Sequence, residues 1–216
     1  NPNNLSIRGK VSSYSVTIKN SSNINLQGIY FFSSTFKALA SNNLLIEDCH
    51  FSYPSTSKRM IGDLGTPFAS SLGLSGSSNK VNDSKINRCL FEYTDGDALR
   101  IYGDRNNLEN NFFQNIDYTV SELPGLMVTI DISGDKNIIT KNTIRDVQAS
   151  ATVSPGARSE FSYNNVTRTG RLQSDGSVFQ GTTNSVADAI IHHNWIYKTP
   201  KYALRFDAPG NDPNAA

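Results

Sequence analysis

Short apolar segments alternate with polar turns along the whole chain. An apolar residue, then Asn or Cys three places later, then an apolar residue two places further on, recurs six times. The copies are Ile46/Cys49/Phe51, Ile86/Cys89/Phe91, Leu108/Asn111/Phe113, Ile139/Asn142/Ile144, Phe161/Asn164/Val166 and Ile191/Asn194/Ile196. Because two of the steps between copies are 22 residues, the repeat unit is about 22 residues long with insertions.

The repeat indicates short strands, because no apolar period of 3.6 residues persists in the chain. A unit of about 22 residues is too short for a propeller blade, and the leucine spacing of leucine-rich repeats is absent. We therefore predict an all-β protein, a right-handed parallel β-helix of about seven coils of roughly 22 residues. The right-handed sense is what the family resemblance given below implies, and it agrees with the general rule for parallel crossovers. Residues 1–216 are expected to form a single domain and, without a starting Met, a segment of a longer chain.

The recurring Asn predicts a hydrogen-bonded column inside the coil. Side chains at one position of successive coils lie about 4.8 Å apart, which suits a ladder of amide hydrogen bonds. The expected ladder consists of Asn111, Asn142, Asn164 and Asn194, continued by Cys49 and Cys89. Because their side chains would run parallel and in register, the two cysteines are expected to be stacked thiols rather than a disulfide.

Three insertions are expected to shape the surface. They fall at one corner of the coil, at roughly 53–69, 115–126 and 168–175. Loops stacked there would form a wall, and therefore a groove, beside an outward column. That column is read as Arg100, Asp131, Val153, Gln180 and Arg205. A second outward column, suited to stacking on sugar rings or covering a partner domain, is read as Tyr30, His50, Leu90, Phe112, Thr143, Asn165 and Trp195.

Composition narrows the class of protein. The chain has 20 Lys+Arg against 19 Asp+Glu, so it lacks the basic excess of a nucleic-acid binder. No apolar run approaches the ~20 residues of a membrane span, and two cysteines are too few for a disulfide scaffold. The 24 Asn and 27 Ser supply neutral polarity, whereas 9 Tyr and 11 Phe argue against disorder. We therefore expect no nucleic-acid partner, no membrane partner, and no metal or other cofactor.

The coil repeat, together with the segments 173–176, 192–195 and 204–207, resembles the right-handed parallel β-helix proteins of the pectate-lyase-like superfamily. The resemblance covers roughly residues 5–207. It implies a secreted, periplasmic or cell-surface protein of a bacterial carbohydrate-degrading type. A polysaccharide or oligosaccharide would then be the partner, together with further domains or coils of the same chain.

Within that resemblance, the first hypothesis is a glycoside hydrolase. Hydrolysis needs two carboxyl groups about 5–5.5 Å or ~6.5–9.5 Å apart, and neighbouring coils offer both spacings. The candidate catalytic residues are Asp131, Asp175 and Asp207, with Glu122 in reserve. The candidate substrate-binding residues are Arg100, Gln180, Arg205, His192 and Tyr118.

Two alternatives remain open. A polysaccharide lyase would neutralise a uronate carboxylate with Arg100 or Arg205, and would use His192, Lys201 or Tyr118 as the base. A non-catalytic protein would be a glycan-binding or structural β-helix module of an adhesin, a tailspike or a larger enzyme. In that case the groove has no catalytic role.

Overall fold

The computed structural model describes residues 10, 12–57, 61–63, 65, 67–118, 127–173, 175–182 and 186–207. Within them the chain winds through three long parallel sheets in turn, so that each strand pairs with the strand one coil away. One sheet has eight strands and the other two have seven each. The predicted all-β parallel β-helix of about seven coils is therefore confirmed.

The strands divide among the sheets in a fixed order. Sheet 1 contains β1 (Tyr14–Lys19), β4 (Thr35–Leu39), β8 (Ser70–Leu72), β12 (Leu99–Tyr102), β15 (Val128–Ser133), β18 (Ala151–Ser154), β21 (Ser177–Thr182) and β24 (Tyr202–Asp207). Sheet 2 contains β2 (Asn25–Gln27), β6 (Leu45–Glu47), β10 (Lys85–Asn87), β13 (Asn107–Glu109), β16 (Ile138–Thr140), β19 (Glu160–Ser162) and β22 (Ile190–His192). Sheet 3 contains β3 (Tyr30–Phe32), β7 (His50–Ser52), β11 (Leu90–Thr94), β14 (Phe112–Ile116), β17 (Thr143–Val147), β20 (Asn165–Thr169) and β23 (Trp195–Tyr197). A small pair, β5 (Ser41–Asn42) and β9 (Val81–Asn82), lies between sheets 1 and 2.

Identical inward positions stack to form the core. In sheet 3, Phe51, Phe91 and Phe113 are fully buried, and their rings stack at 4.7 and 4.8 Å between centroids. Each buried side chain of this kind contributes about 1.5–3 kcal/mol through removal of apolar area from water. The column register is therefore fixed, because a slip of one residue would move every such ring to the outer face.

The predicted amide ladder is present inside the coil. The backbone N–H of Asn111 donates to Oδ1 of Asn142 at 2.9 Å. The same bond joins Asn142 to Asn164 and Asn164 to Asn194, each at 2.9 Å. The Nδ2 groups donate to buried backbone carbonyls, so the column satisfies polar atoms that have no access to water.

The two cysteines extend this ladder, as predicted. The backbone N–H of Cys89 donates to Oδ1 of Asn111 at 2.9 Å. The thiols donate to the main chain, Cys49 to the carbonyl of Glu47 and Cys89 to that of Asn87. Both cysteines are buried, and no disulfide joins them. The adjacent Cys49, and then burial, raise the pKa of the Cys89 thiol, so it stays protonated at neutral pH.

A second interior ladder was not predicted. The backbone N–H of Ser84 donates to Oδ1 of Asn106 at 3.0 Å, and that of Asn106 donates to Oδ1 of Asn137 at 2.9 Å. Beside it, a Cβ at Gly134 would lie 2.0 Å from the carbonyl oxygen of Gly103. Only glycine therefore fits this close approach of two coils. The repeated segments 103–106 and 134–137 carried this signal in the sequence.

The coil bends at single residues with left-handed backbone. The second corner, between sheets 2 and 3, has φ between 52° and 66° and consists of Gly28, Asp48, Arg88, Asn110, Lys141, Tyr163 and His193. The third corner, at the end of sheet 3, has φ between 52° and 56° and consists of Ser33, Tyr53, Tyr93, Asn115, Asp146, Arg168 and Lys198. The long segments β7–β8, β14–β15 and β20–β21 all follow the third corner, so the insertions lie at one corner as predicted.

Ion pairs join successive coils on the outside. In each of four bonded pairs the Asp belongs to one coil and the Arg to the next: Asp48–Arg88, Asp83–Arg105, Asp135–Arg158 and Asp146–Arg168. Each arginine lowers the pKa of its aspartate through a direct hydrogen bond. These four pairs therefore hold neighbouring coils together on the outer surface.

Candidate functional site

Several outward positions of sheet 1 are covered and do not line the predicted groove. Thr129, Thr152 and Val178 alternate with inward residues, yet they are buried. Gln180 is only 1% exposed, and its Oε1 accepts a hydrogen bond from Ser177 at 2.9 Å. The outward column was also misread in one coil, because Ser154, and not Val153, is the partner of Asp131. Val153 points inward and is paired with Ile130 and Phe179.

Arg100 and Asp131 lie on the outer face of sheet 1, on neighbouring strands. Arg100 Nε donates to Oδ2 of Asp97 at 2.5 Å. The hydroxyl of Tyr102 donates to Oδ2 of Asp131 at 3.1 Å. Burial, and then the negative charge of Asp131, raise the pKa of Tyr102 to about 12, so this hydroxyl remains a donor at neutral pH. Asp131 thus belongs to a local polar network.

One group of the predicted site residues is in direct contact in the structure: Asp175, Arg205 and Asp207. Arg205 forms ion pairs with both carboxylates, and the backbone N–H of Gly176 also donates to Asp175. Arg205 lowers the pKa of Asp175, whereas a general acid needs a raised one. Asp131 lies three strands away from Arg205, which is about 14 Å at ~4.8 Å per strand.

The remaining predicted residues lie elsewhere. His192 ends β22 in sheet 2, with its Nε2 at 3.3 Å from Oε1 of Glu160. The exposed Tyr118 donates to Oδ1 of Asn115 at 3.3 Å. Glu122 lies outside the described residues. Within the described part of the chain, no helix is long and apolar enough to cross a membrane, and no three metal-binding side chains converge.

Four exposed aromatic side chains form a surface cluster, which we call the aromatic corner. The sequence predicted only one of them, Tyr30, as an outward residue. The aromatic corner consists of Tyr30, Phe32, Tyr53 and Tyr93, which are 58%, 45%, 46% and 40% exposed. The rings of Tyr53 and Tyr93 stack at 5.0 Å with an interplanar angle of 11°. Phe32 meets Tyr53 edge-on at 5.9 Å, and Tyr30 lies 6.2 Å from Phe32.

The two stacked tyrosines occupy third-corner positions with φ of 53° and 56°. A bulky side chain in this left-handed region is unusual, because Gly, Asn or Asp adopts it at lower cost. Tyr53 and Tyr93 were missed because they lie outside the alternating column. The signal was present, since each follows a core phenylalanine by two residues, in Phe51-Ser-Tyr53 and Phe91-Glu-Tyr93.

A polar network adjoins the aromatic corner. The ring of His50 lies 4.6 Å from that of Tyr30, tilted by 33°, and its Nε2 lies 2.7 Å from Oε1 of Glu92. Gln114 Nε2 donates to the other oxygen of Glu92 at 2.8 Å. The Glu92 carboxylate is thereby held beside the aromatic rings. The corner therefore combines aromatic faces with one fixed negative charge.

Comparison with known proteins adds little to this geometry. No protein-family model matches the chain, and no curated protein matches it. Among solved structures, the chain is similar to QnrB1, a plasmid-mediated fluoroquinolone resistance protein. The match has 7% identity and a TM-score of 0.26, and it covers 80% of this chain and 91% of that chain. What the structure itself defines is the class, a parallel β-helix.

The prediction of a glycoside hydrolase was wrong. The similar solved structure is that of a fluoroquinolone resistance protein. The geometry is also unsuited to hydrolysis, because Arg205 pairs with Asp175 and Asp207 and lowers the pKa of Asp175, whereas a general acid needs a raised pKa. The correction extends to the polysaccharide lyase, to the glycan-binding module and to the polysaccharide or oligosaccharide partner.

Proposed function

We propose that this chain is a protein-binding β-helix whose aromatic corner binds a cationic segment of a partner protein. The observation that carries the proposal is the exposed stack of Tyr53 and Tyr93. On later coils the same corner is occupied by Asp146 and Arg168 with the same backbone geometry. The fold therefore does not require tyrosine at these positions.

The chemistry of the corner favours a positively charged partner. Exposed aromatic clusters mark interaction surfaces, and tyrosine is enriched in protein interfaces. Aromatic faces attract Arg or Lys by about 0.5–1 kcal/mol per contact at exposed sites. Glu92 adds a carboxylate that His50 and Gln114 hold in place. An arginine-bearing segment would satisfy both the rings and this carboxylate.

The experiment uses two synthetic peptides, one of alternating Arg and Gly and its Glu–Gly counterpart. Titration into ¹⁵N-labelled protein should give saturable chemical-shift changes around Tyr53 and Tyr93 with the Arg peptide alone. The double substitution Tyr53→Asn/Tyr93→Asn should weaken binding about five- to thirtyfold, the equivalent of two such contacts. Asn is chosen because it accepts the left-handed backbone.

A matched control is available in Tyr163, which is 54% exposed and also has a left-handed backbone, at the second corner. Tyr163→Asn should leave binding of the Arg peptide unchanged. Equal binding of both peptides, or equal weakening by Tyr163→Asn, would contradict the proposal. So would an Arg peptide that does not bind at all.

We also propose that the chain belongs to the pectate-lyase-like superfamily by architecture, and that it acts outside the cytoplasm, by secretion, in the periplasm or at the cell surface. The interior amide column and the short parallel strands support the first point, and the sequence resemblance supports both. Fractionation of cells producing the full-length protein tests the location. Recovery from the cytosol alone would contradict it.

A further inference from the structure

Two consecutive histidines meet at the second corner of the last coil. His192 ends β22, and His193 follows with a left-handed φ of 53°. Their rings are nearly perpendicular, at 89°, with centroids 5.0 Å apart. The two Nδ1 atoms are only 2.8 Å apart. The two nitrogens are thus hydrogen-bonded to each other at the surface.

A carboxylate faces the far ring nitrogen of His192. Glu160 Oε1 lies 3.3 Å from Nε2 of His192, and Ser162 Oγ donates to that same oxygen at 2.6 Å. A proton on Nε2, facing this carboxylate, would leave the lone pair of neutral His192 on Nδ1. A carboxylate on the far side of an imidazole is the arrangement that orients metal-binding histidines.

The second imidazole is also held in place. The ring of Tyr163 stacks on that of His193 at 4.9 Å and 16°, and it meets His192 edge-on at 5.3 Å. His193 is thereby fixed between an aromatic face and the backbone turn. In the metal-free protein one Nδ1 must donate to the other, so His193 carries its proton on Nδ1 when Glu160 orients His192.

We propose that His192 and His193 bind one Cu²⁺ ion through their two Nδ1 atoms, with Ni²⁺ as a weaker alternative. Two nitrogens at ~2.0 Å from a metal and at a right angle are about 2.8 Å apart, as in tetragonal Cu²⁺ or Ni²⁺ sites. Tetrahedral Zn²⁺ would need a separation of about 3.3 Å. Cu²⁺ also binds most tightly in the divalent series.

The exchange of ligands balances without any redox step. The Nδ1 proton of His193 moves through solvent to its other ring nitrogen, so the ring remains neutral and its Nδ1 lone pair binds the metal. Water occupies the remaining positions, since no third metal-binding side chain converges here among the described residues. Glu160 remains beside Nε2 of His192 throughout.

The test is a CuCl₂ titration of untagged protein, followed by visible absorption and electron paramagnetic resonance. The wild type should bind one tight equivalent with two nitrogen ligands in the spectrum. His193→Asn should abolish that equivalent while leaving the melting temperature unchanged or higher, because Asn suits the left-handed backbone. Glu160→Gln should weaken binding about tenfold or more, as loss of an orienting carboxylate does.

The third histidine supplies the matched control. His50→Gln removes an imidazole at the opposite end of the molecule and should leave the copper affinity unchanged. Retention of the tight equivalent in His193→Asn would overturn the proposal. An unchanged affinity in Glu160→Gln would show an adventitious ion only, chelated by two surface rings without a built site, and would overturn it as well.

Discussion

The third corner has two halves that differ in chemistry and agree in backbone. On the coils that contain β7 and β11 it presents Tyr53 and Tyr93, which are stacked and half-exposed. On the coils that contain β17 and β20 it presents Asp146 and Arg168, which are joined by two hydrogen bonds of 2.6 Å. All four residues have φ between 53° and 56°. The turn is therefore compatible with either pair.

The difference distinguishes interior residues, which determine the shape of the coil, from corner residues, which determine only its surface chemistry. Inside, repeated Asn and Phe columns hold neighbouring coils in register. Outside, the corner side chain is limited only by the left-handed backbone, which disfavours most residues and favours Asn. An exposed tyrosine there has no structural necessity, so the corners are better places to look for function than the covered face of sheet 1.

The largest effect on stability should come from disrupting the interior amide ladder, which supports both halves of the third corner. Asn142→Leu leaves the backbone N–H of Asn111 and the carbonyl of Leu108 without their buried partners. We expect a loss of about 3–5 kcal/mol in the free energy of unfolding, from ~1–3 kcal/mol per unsatisfied group. Chemical denaturation measures it, and Asn25→Leu on an exposed strand should change it by under about 0.5 kcal/mol. A loss below 1 kcal/mol in Asn142→Leu would argue against the ladder.

A smaller effect distinguishes the charged half. Asp146→Asn keeps the turn but removes the pair with Arg168, and should lower Tm by about 1–3 °C at pH 7. Arg168 depresses the pKa of folded Asp146, so this contribution is complete above the unfolded value near ~3.9. It disappears as the pH falls through the lower, folded value. Melting curves of the two proteins from pH 7 to pH 2 should therefore converge at the acid end.

The comparison sharpens if the aromatic half behaves differently under the same conditions. Tyr53→Phe removes no carboxylate and no ion pair, so any difference in its Tm from the wild type should be independent of pH over this range. Convergence of these curves at low pH would show that the acid effect is general and does not arise from Asp146.

The smallest effect should be on stability in the aromatic half. Tyr53→Asn loses the stack with Tyr93, worth about 0.5–1.5 kcal/mol, and relieves a left-handed backbone cost of about 1–2 kcal/mol. Because these offset, the free energy of unfolding should change by no more than about 0.5 kcal/mol. Chemical denaturation measures it. A loss of 2 kcal/mol would assign the tyrosine a structural role.

The interior could be predicted from the sequence because it repeats. Asn111, Asn142, Asn164 and Asn194 occur at one spacing, and amide side chains have few ways to be satisfied inside a coil. The same logic would have found Asn106 and Asn137, since Gly-Asp-(Arg/Lys)-Asn occurs twice. Periodicity alone therefore carries the coil register.

The surface could not be predicted in the same way. Val153 was placed outward because segment 149–154 consists of small residues with no clear alternation. Gln180 is polar and was expected in the open, yet the folded chain buries it. The pairing of Arg205 with both Asp175 and Asp207 brings residues from a loop and a strand together, which no sequence spacing specifies.

The amide column has a mechanical consequence. Its hydrogen bonds run along the long axis of the molecule, as do those between strands, and each coil touches only its neighbours. Tension applied to the two chain ends should therefore peel turns off one after another, each giving up its own small set of bonds. The molecule would therefore extend in steps of about one coil, and each step would require mechanical work to break the bonds of that coil.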